Sequence, residues 1–351
     1  MKIRKETATD APAILVVRFS SIGDVLLATP VLRAIKSRWP GARVTFLTRE
    51  RFAPLLAGNP HVDEVVSVDQ GAGLEALREA CRTLQERKWH LLVDLHGSLR
   101  SRLVSRLVRA DCKVRYSNLR FRRTLLIYTR LDFYGKRVPS VAERYAACLR
   151  DFGIELDEKG CELVLGERDH EEADNLIRLA WPDRVDYLAV APGAAWPVKR
   201  WPAERFAEAA RRIAERRGWK VVILGGSDDR EACAEVAGGL DPGLCLDLAG
   251  RLSLRGSAAA VAGAKLLLTN DTSLMHIATA VGTPVTAVFG PTVRQFGYFP
   301  YRAKEARVVE ADIWCRPCTH NGRMRCPLGH FRCMRGIGKE EVVRAMIKLT
   351  E

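Results

Sequence analysis

The sequence has no apolar run approaching the ~20 residues that cross a bilayer, so no membrane-spanning helix is expected. Its polar opening, Met1 to Asp10, lacks the apolar stretch and small-residue cleavage site of a secretory signal, so a cytoplasmic protein is expected. No repeat of fixed period runs through it, which excludes a solenoid or propeller. No Gly/Ser linker marks a boundary, and no nucleic-acid-binding motif accompanies its charge. Acidic residues are in short supply. The 351 residues hold 42 Asp plus Glu against 56 Lys plus Arg, a formal charge of +14. With 47% hydrophobic residues, the chain is neither disordered nor a small disulfide-stapled fold. Its length suits two domains. The excess of positive charge calls for an acidic partner.

Short apolar runs alternate with helical patterns. Ile14 to Val17 reads as a buried strand, Ser20 to Asp24 as a turn, and the residues up to Trp39 as one helix. Strands follow at Arg43–Leu47, Val62–Val68 and Leu91–Leu95, with helices at about Gly73–Arg87, Leu99–Arg109, Ser140–Phe152 and His170–Leu179. The pattern restarts with strand Tyr187–Ala191, helix Ala203–Arg217, strand Lys220–Leu224, helix Arg230–Gly238, an edge segment at Leu244–Asp247 and helix Ser253–Ala262. Strand Lys265–Thr269, helix Thr272–Ala280 with Gly282 as its C-terminal cap, and strand Val285–Phe289 complete it. The pattern predicts two Rossmann-like, doubly wound α/β domains facing a central cleft: 1–170 and 185–312, then a Cys-rich segment 313–335 and a helix 336–351 packing back on the first domain.

In such sheets ligands bind beyond the carboxyl ends of strands. Four polar loops fall there. In Ser20-Ser21-Ile22-Gly23-Asp24, Gly23 permits a tight turn, and Asp24 either accepts a proton from a hydroxyl or caps the helix. Lys199 and Arg200 precede a helix entered at Pro202, a setting suited to phosphate. Gly225-Gly226-Ser227-Asp228-Asp229 has neither dinucleotide-fingerprint nor P-loop spacing, but its glycines allow close approach to a ligand. In Thr269-Asn270-Asp271-Thr272-Ser273-Leu274-Met275-His276, Asn270 or Asp271 caps a helix whose first-turn amides make an anion site, with His276 one turn on. A candidate base in one domain and phosphate ligands in the other suggest a nucleotide-sugar enzyme that needs no metal to stabilise a leaving diphosphate.

Phe19-Ser-Ser-Ile-Gly-Asp-Val-Leu-Leu-Ala-Thr-Pro30, Asp94-Leu-His-Gly-Ser98, Lys199-Arg-Trp-Pro202, Asn270-Asp-Thr-Ser-Leu-Met-His276 and Phe289-Gly-Pro-Thr292 resemble, in order and over nearly the whole chain, the glycosyltransferase family 9 heptosyltransferases. The resemblance implies a GT-B fold and inverting transfer of L-glycero-D-manno-heptose from ADP-heptose to the inner core of lipopolysaccharide, with no cofactor required for catalysis. Asp24 falls on the family's catalytic Asp, Lys199 on the diphosphate-contacting Lys and Asp271 on the Asp that holds heptose hydroxyls. Thr272, Ser273, Leu274 and His276, with Gly226 and Ser227, complete the expected donor site. Ser21, Gly23, Asp94, His96, Arg100, Arg120, Arg122 and Arg123 form the expected acceptor side. Where heptosyltransferases I carry Thr, this chain has Ala194 and Ala195, so side-chain hydroxyls are absent there. Alternative readings are a GT-B-fold nucleotide-sugar epimerase, or a basic binding module held by metal.

Between Arg100 and Arg137, twelve Lys and Arg face two Asp, a net +10 interleaved with Leu103, Val104, Leu107, Phe121, Leu125, Leu126, Ile127 and Tyr128. That pattern points to an anionic-membrane or acidic-lipid surface rather than to nucleic acid. The resemblance implies a lipopolysaccharide precursor (lipid A carrying Kdo or heptose) as acceptor and the inner membrane as that surface, and the sign of the charge agrees. The protein would then be cytoplasmic and peripheral on the inner membrane. Cys315-x2-Cys318-x7-Cys326-x6-Cys333, with His330 as an alternate ligand, is compatible with a structural zinc or iron site or with four free thiols.

Overall fold

A computed structural model describes residues 11–69, 73–135 and 137–351. The polar opening Met1–Asp10 and Lys136 of the basic segment lie outside the described residues. The chain divides into two units, Met1–Arg120 with Pro139–Val164, and Phe121–Val138 with Leu165–Glu351.

In the first unit, β1 (Ala13–Val17) is apolar from end to end because it is covered on both faces. It is followed by α1 (Ile22–Leu26), α2 (Thr29–Arg38), β2 (Arg43–Arg49), β3 (Glu64–Val68), α3 (Gly73–Gln85), β4 (Trp89–Asp94), α4 (Leu99–Leu107) and β5 (Ala110–Arg115). The five strands run parallel in the order β3-β2-β1-β4-β5. Leu15, Val17 and Phe19 pack with Leu77, Leu84, Leu92 and Val104 on one face. The single helix expected to run up to Trp39 is two helices, because Pro30 has no N–H to continue a helix and fits only in the first turn of α2. The edge strand β5 went unforeseen. Its burial alternates residue by residue, and Asp111, Lys113 and Arg115 point outward.

After α5 (Arg120–Thr129) and α6 (Val141–Ala147) comes α7 (Glu167–Ala180). α5 clusters with the second unit, not with the 1–170 domain expected from sequence. Arg123 donates to His320 Nε2 at 3.1 Å, Arg130 to the Pro317 carbonyl at 2.6 Å, and Gln295 to Asp132 at 2.8 Å.

The second unit holds β6 (Tyr187–Ala191), α8 (Ala203–Arg217), β7 (Lys220–Ile223), α9 (Arg230–Ala237), β8 (Cys245–Asp247), α10 (Leu254–Ala262), β9 (Leu266–Asn270), α11 (Ser273–Val281), β10 (Val285–Phe289), β11 (Ala306–Glu310), α12 (Arg332–Arg335) and α13 (Lys339–Ile347). Its six parallel strands run β11-β10-β9-β6-β7-β8. Each sheet therefore reverses direction at its centre, between β1 and β4 and between β6 and β9. Those are the places where strand-end loops part to admit ligands. Gly282 ends α11 at φ 82°, as its position after the helical pattern predicted. The C-terminal helix α13 belongs to the second unit. Its apolar stripe, Val342, Val343 and Met346, is buried in the second unit's core with Phe206, Ala210 and Ile213 of α8. No helix among the described residues is long and apolar enough to cross a membrane.

Candidate functional site

In the first unit, the loop after β1 turns the chain into α1, and Asp24 occupies that helix's third position. Its Oδ2 accepts from the Ser21 amide at 3.0 Å and the Ser21 hydroxyl at 2.9 Å, and pairs with Arg18 at 2.7 Å. Tyr145 of α6 donates to Oδ1 at 3.2 Å. Asp24 is only 7% exposed. Burial alone would push its pKa up, but the Arg18 charge and the Ser21 hydrogen bonds outweigh it and hold the carboxyl below the usual range. Asp24 is thus held in a fixed orientation as a carboxylate, and its bond from the Ser21 amide also caps α1. Arg18 is itself fixed by bonds to the Ser20 and Leu95 carbonyls, each 2.7 Å, and lies over the Tyr145 ring.

The loop after β4 supplies His96. Asp94, expected as an acceptor ligand, is fully buried and occupied internally. Its Oδ1 accepts from the amides of His96 and Gly97, and its Oδ2 from Ser101 Oγ and Arg115. It positions the His96 loop and does not reach outward. His96 stands edge-on to Phe19, and burial, then the nearby Arg18 charge, push its pKa down to about 4. A neutral imidazole therefore faces the same charge cluster as Asp24. Arg100 is exposed at the start of α4 and, with Arg51, lowers the pKa of Arg49 after burial has done so. Arg120 and Arg122 are exposed on α5, whereas Arg123 is turned inward to His320 and serves to fasten the helix.

In the second unit, four strand ends converge. The expected capping of α11 by Asn270 or Asp271 is not observed. Thr272 is the N-cap and no side chain caps the first turn, so the amides of Ser273 and Leu274 begin the helix at the strand edge. Asn270 instead accepts from the Trp201 amide at 3.1 Å and donates to the Pro192 carbonyl at 2.7 Å, tying together the loops after β6 and β9. Asp271 pairs with Lys199 at 2.6 Å and accepts from Thr292 Oγ1 at 2.6 Å. Its burial favours the neutral form, but Lys199 wins and lowers its pKa, with Thr292 and His276 assisting. His276 is buried on α11, edge-on to Tyr298. Gly226 and Ser227 are exposed after β7, where the Gly226 amide donates to Asp229 Oδ2 at 3.1 Å. Gly193 has a steric reason: a Cβ there would lie 2.2 Å from Asp229 Cγ. This cluster offers a cation, helix-start amides and a carboxylate in one place, chemistry suited to a phosphorylated sugar.

The sequence reading gave Arg18 and Tyr145 no part in the site, and took Thr292 only as the end of the Phe289-Gly-Pro-Thr292 motif. Arg18 left a trace, as the lone charge between the apolar β1 run and the Ser-Ser-Ile-Gly-Asp turn.

All four tail cysteines are free thiols. Among the described residues, no group of three or more His, Cys, Asp or Glu side chains could hold a metal ion. Cys315 Sγ lies 3.8 Å from His330 Nε2. Burial, then the neighbouring Cys318, Cys315 and Cys326, push the Cys333 thiol up to about 11, so the tail cysteines lie close enough to act on one another.

Two parallel, doubly wound α/β units with polar strand-end loops make a fold of GT-B type. The family model for glycosyltransferase family 9 (heptosyltransferase) matches residues 77–328, and the chain belongs to that family. It is similar to lipopolysaccharide heptosyltransferase 2 of Escherichia coli K12, at 28% identity over 84% of this chain and 87% of that one. It is equally similar to lipopolysaccharide heptosyltransferase 1 of Pseudomonas aeruginosa, at 28% over 87% and 85%. Its fold matches the crystal structure of a family 9 glycosyl transferase from Veillonella parvula, with a TM-score of 0.79, 26% identity, and coverage of 99% and 98%.

Proposed function

We propose that the protein transfers L-glycero-D-manno-heptose from ADP-heptose to an inner-core sugar of a lipopolysaccharide precursor. The names of its relatives support the reaction class. The observation that carries the reading to this chain is the buried, ionised Asp24, held at a strand end by Arg18 and Ser21. Asp24 takes the proton from the acceptor hydroxyl as its oxygen attacks the anomeric carbon. The bond from that carbon to the diphosphate oxygen breaks on the opposite face, ADP leaves, and the configuration inverts. Lys199 and the α11 amides of Ser273 and Leu274 meet the diphosphate as its charge develops. Asp271 accepts from hydroxyls of the transferred sugar. On the acceptor side, Ser21, Gly23 and His96 line the sugar, and Arg100 meets its phosphates and acidic groups. The protein works at the cytoplasmic face of the inner membrane as a peripheral enzyme.

The test is Asp24→Asn. Turnover should fall by roughly 10²–10⁴, while ADP-heptose still raises the melting temperature as in the wild type. Unchanged turnover removes Asp24 from the mechanism. A melting temperature raised by UDP-sugars but not by ADP or ADP-heptose overturns the donor assignment.

A further inference from the structure

We propose that the outward face of α5 is the element by which this protein docks on an anionic lipid bilayer. The inference rests on the membrane reading above and names the surface responsible. Phe121, Leu125 and Tyr128 recur at spacings of four and three, so they form one stripe along the helix. Phe121 is 79% exposed and Tyr128 is 77% exposed, while Leu126 on the other side is buried. Arg120 and Arg122, both exposed, stand on either side of the stripe. The helix contains no acidic residue. Leu131 and Phe133 extend the exposed apolar surface just beyond its end.

A water-facing helix normally puts aromatics inward. Here the inward side is made by Leu126 and by Arg123 bonded to His320, and the largest apolar groups are turned out. The helix is not loose: Arg123–His320 and Arg130 on the Pro317 carbonyl pin its two ends to the second unit. An outward aromatic stripe between arginines matches a headgroup boundary, with rings entering the acyl edge and guanidinium groups meeting lipid phosphates. The excursion Phe121–Val138 carries five Lys and Arg against one Asp, a net +4, which suits an anionic plane better than a single bound ion. At ten residues, α5 is too short to span. It lies in the interface and orients the second unit towards the lipid.

The experiment uses the full chain and vesicles of phosphatidylethanolamine with phosphatidylglycerol, against vesicles of phosphatidylcholine alone. The wild type should co-sediment with the anionic vesicles only. Phe121→Ser with Tyr128→Ser should lower that partition by about tenfold or more, with an unchanged circular-dichroism spectrum. In a separate variant, Phe121→Trp, the emission that remains after subtracting that of the wild type's seven tryptophans should move to the blue when anionic vesicles are added. An emission that does not move, or a double variant that binds as the wild type does, overturns the proposal. So does binding that salt abolishes but the double substitution leaves untouched, since charge alone would then explain it. Turnover on a deacylated, water-soluble acceptor saccharide should be the same in the double variant and the wild type. A wild type inactive on every such acceptor counts against the proposed function and leaves the vesicle result standing.

Discussion

Replacing Arg18 by methionine should destabilise the protein in a way that depends on pH. Arg18 and Asp24 meet at 2.7 Å with side chains 7% and 10% exposed, so solvent screens the pair little. Breaking one partner out of a buried pair costs about 3–5 kcal/mol, because the carboxylate left behind keeps its desolvation penalty and loses its compensation. For a domain of this size that is a fall in Tm of roughly 6–20 °C near pH 7. The sign follows from linkage. In the wild type Asp24 has a depressed folded pKa, so its contribution is full above the ordinary carboxylate range and is lost as pH falls through the folded value. In the variant, burial is the larger influence and raises the folded pKa, so Asp24 destabilises at neutral pH and is relieved by protonation as pH falls. The Tm gap between the two proteins should therefore be widest at pH 7 to 8 and narrow on approach to pH 4. It should not close, because the Ser20 and Leu95 carbonyls lose their donor at every pH. Calorimetry across that range reads it, and the double variant with Asp24→Asn should recover much of the loss at pH 7. A gap that is constant with pH, or fully additive single and double variants, would show that the ion pair is not what stabilises this turn.

Gly193→Ala places a methyl group 2.2 Å from Asp229 Cγ. It should cost about 1–3 kcal/mol by overpacking, and the stabilisation of the protein by ADP should weaken, both seen in one thermal-shift titration; an unchanged titration means the loop shifts freely. His96 is held neutral to about pH 4 in the folded protein but titrates near its ordinary value when unfolded. Folding stability should therefore decline as pH falls from about 6.5 towards 4, and His96→Gln should flatten that decline in the same calorimetric series.

The alternation of strands and helices was legible because covered parallel strands must be apolar throughout, and Tyr187–Ala191 or Val285–Phe289 can be little else. The loops that carry chemistry were legible for a related reason, since they interrupt those runs with Gly, Asp, Lys and Asn. What those loops do with their side chains was not. Asn270 looks like a helix cap from its neighbours, but its partners, Trp201 and Pro192, lie in the loop after another strand. Asp94 looks like a ligand for the same reason, and only the fold shows that Arg115 and Ser101 occupy it. Tyr145 reaches Asp24 from 121 residues away, a distance no local pattern records. The end of the chain is legible in part: the apolar stripe of α13 announces that it must be buried, but not against which unit.

The second unit is not a continuous stretch of chain. The eighteen residues Phe121–Val138 belong to it, yet the sequence returns to the first unit before Leu165. No single cut can release it whole. A fragment begun at Leu165 would leave His320, the Pro317 carbonyl and Gln295 without Arg123, Arg130 and Asp132. A chimera that takes its second unit from another family member must carry the α5 excursion with it. Otherwise it joins a helix from one protein to a docking seat shaped by another.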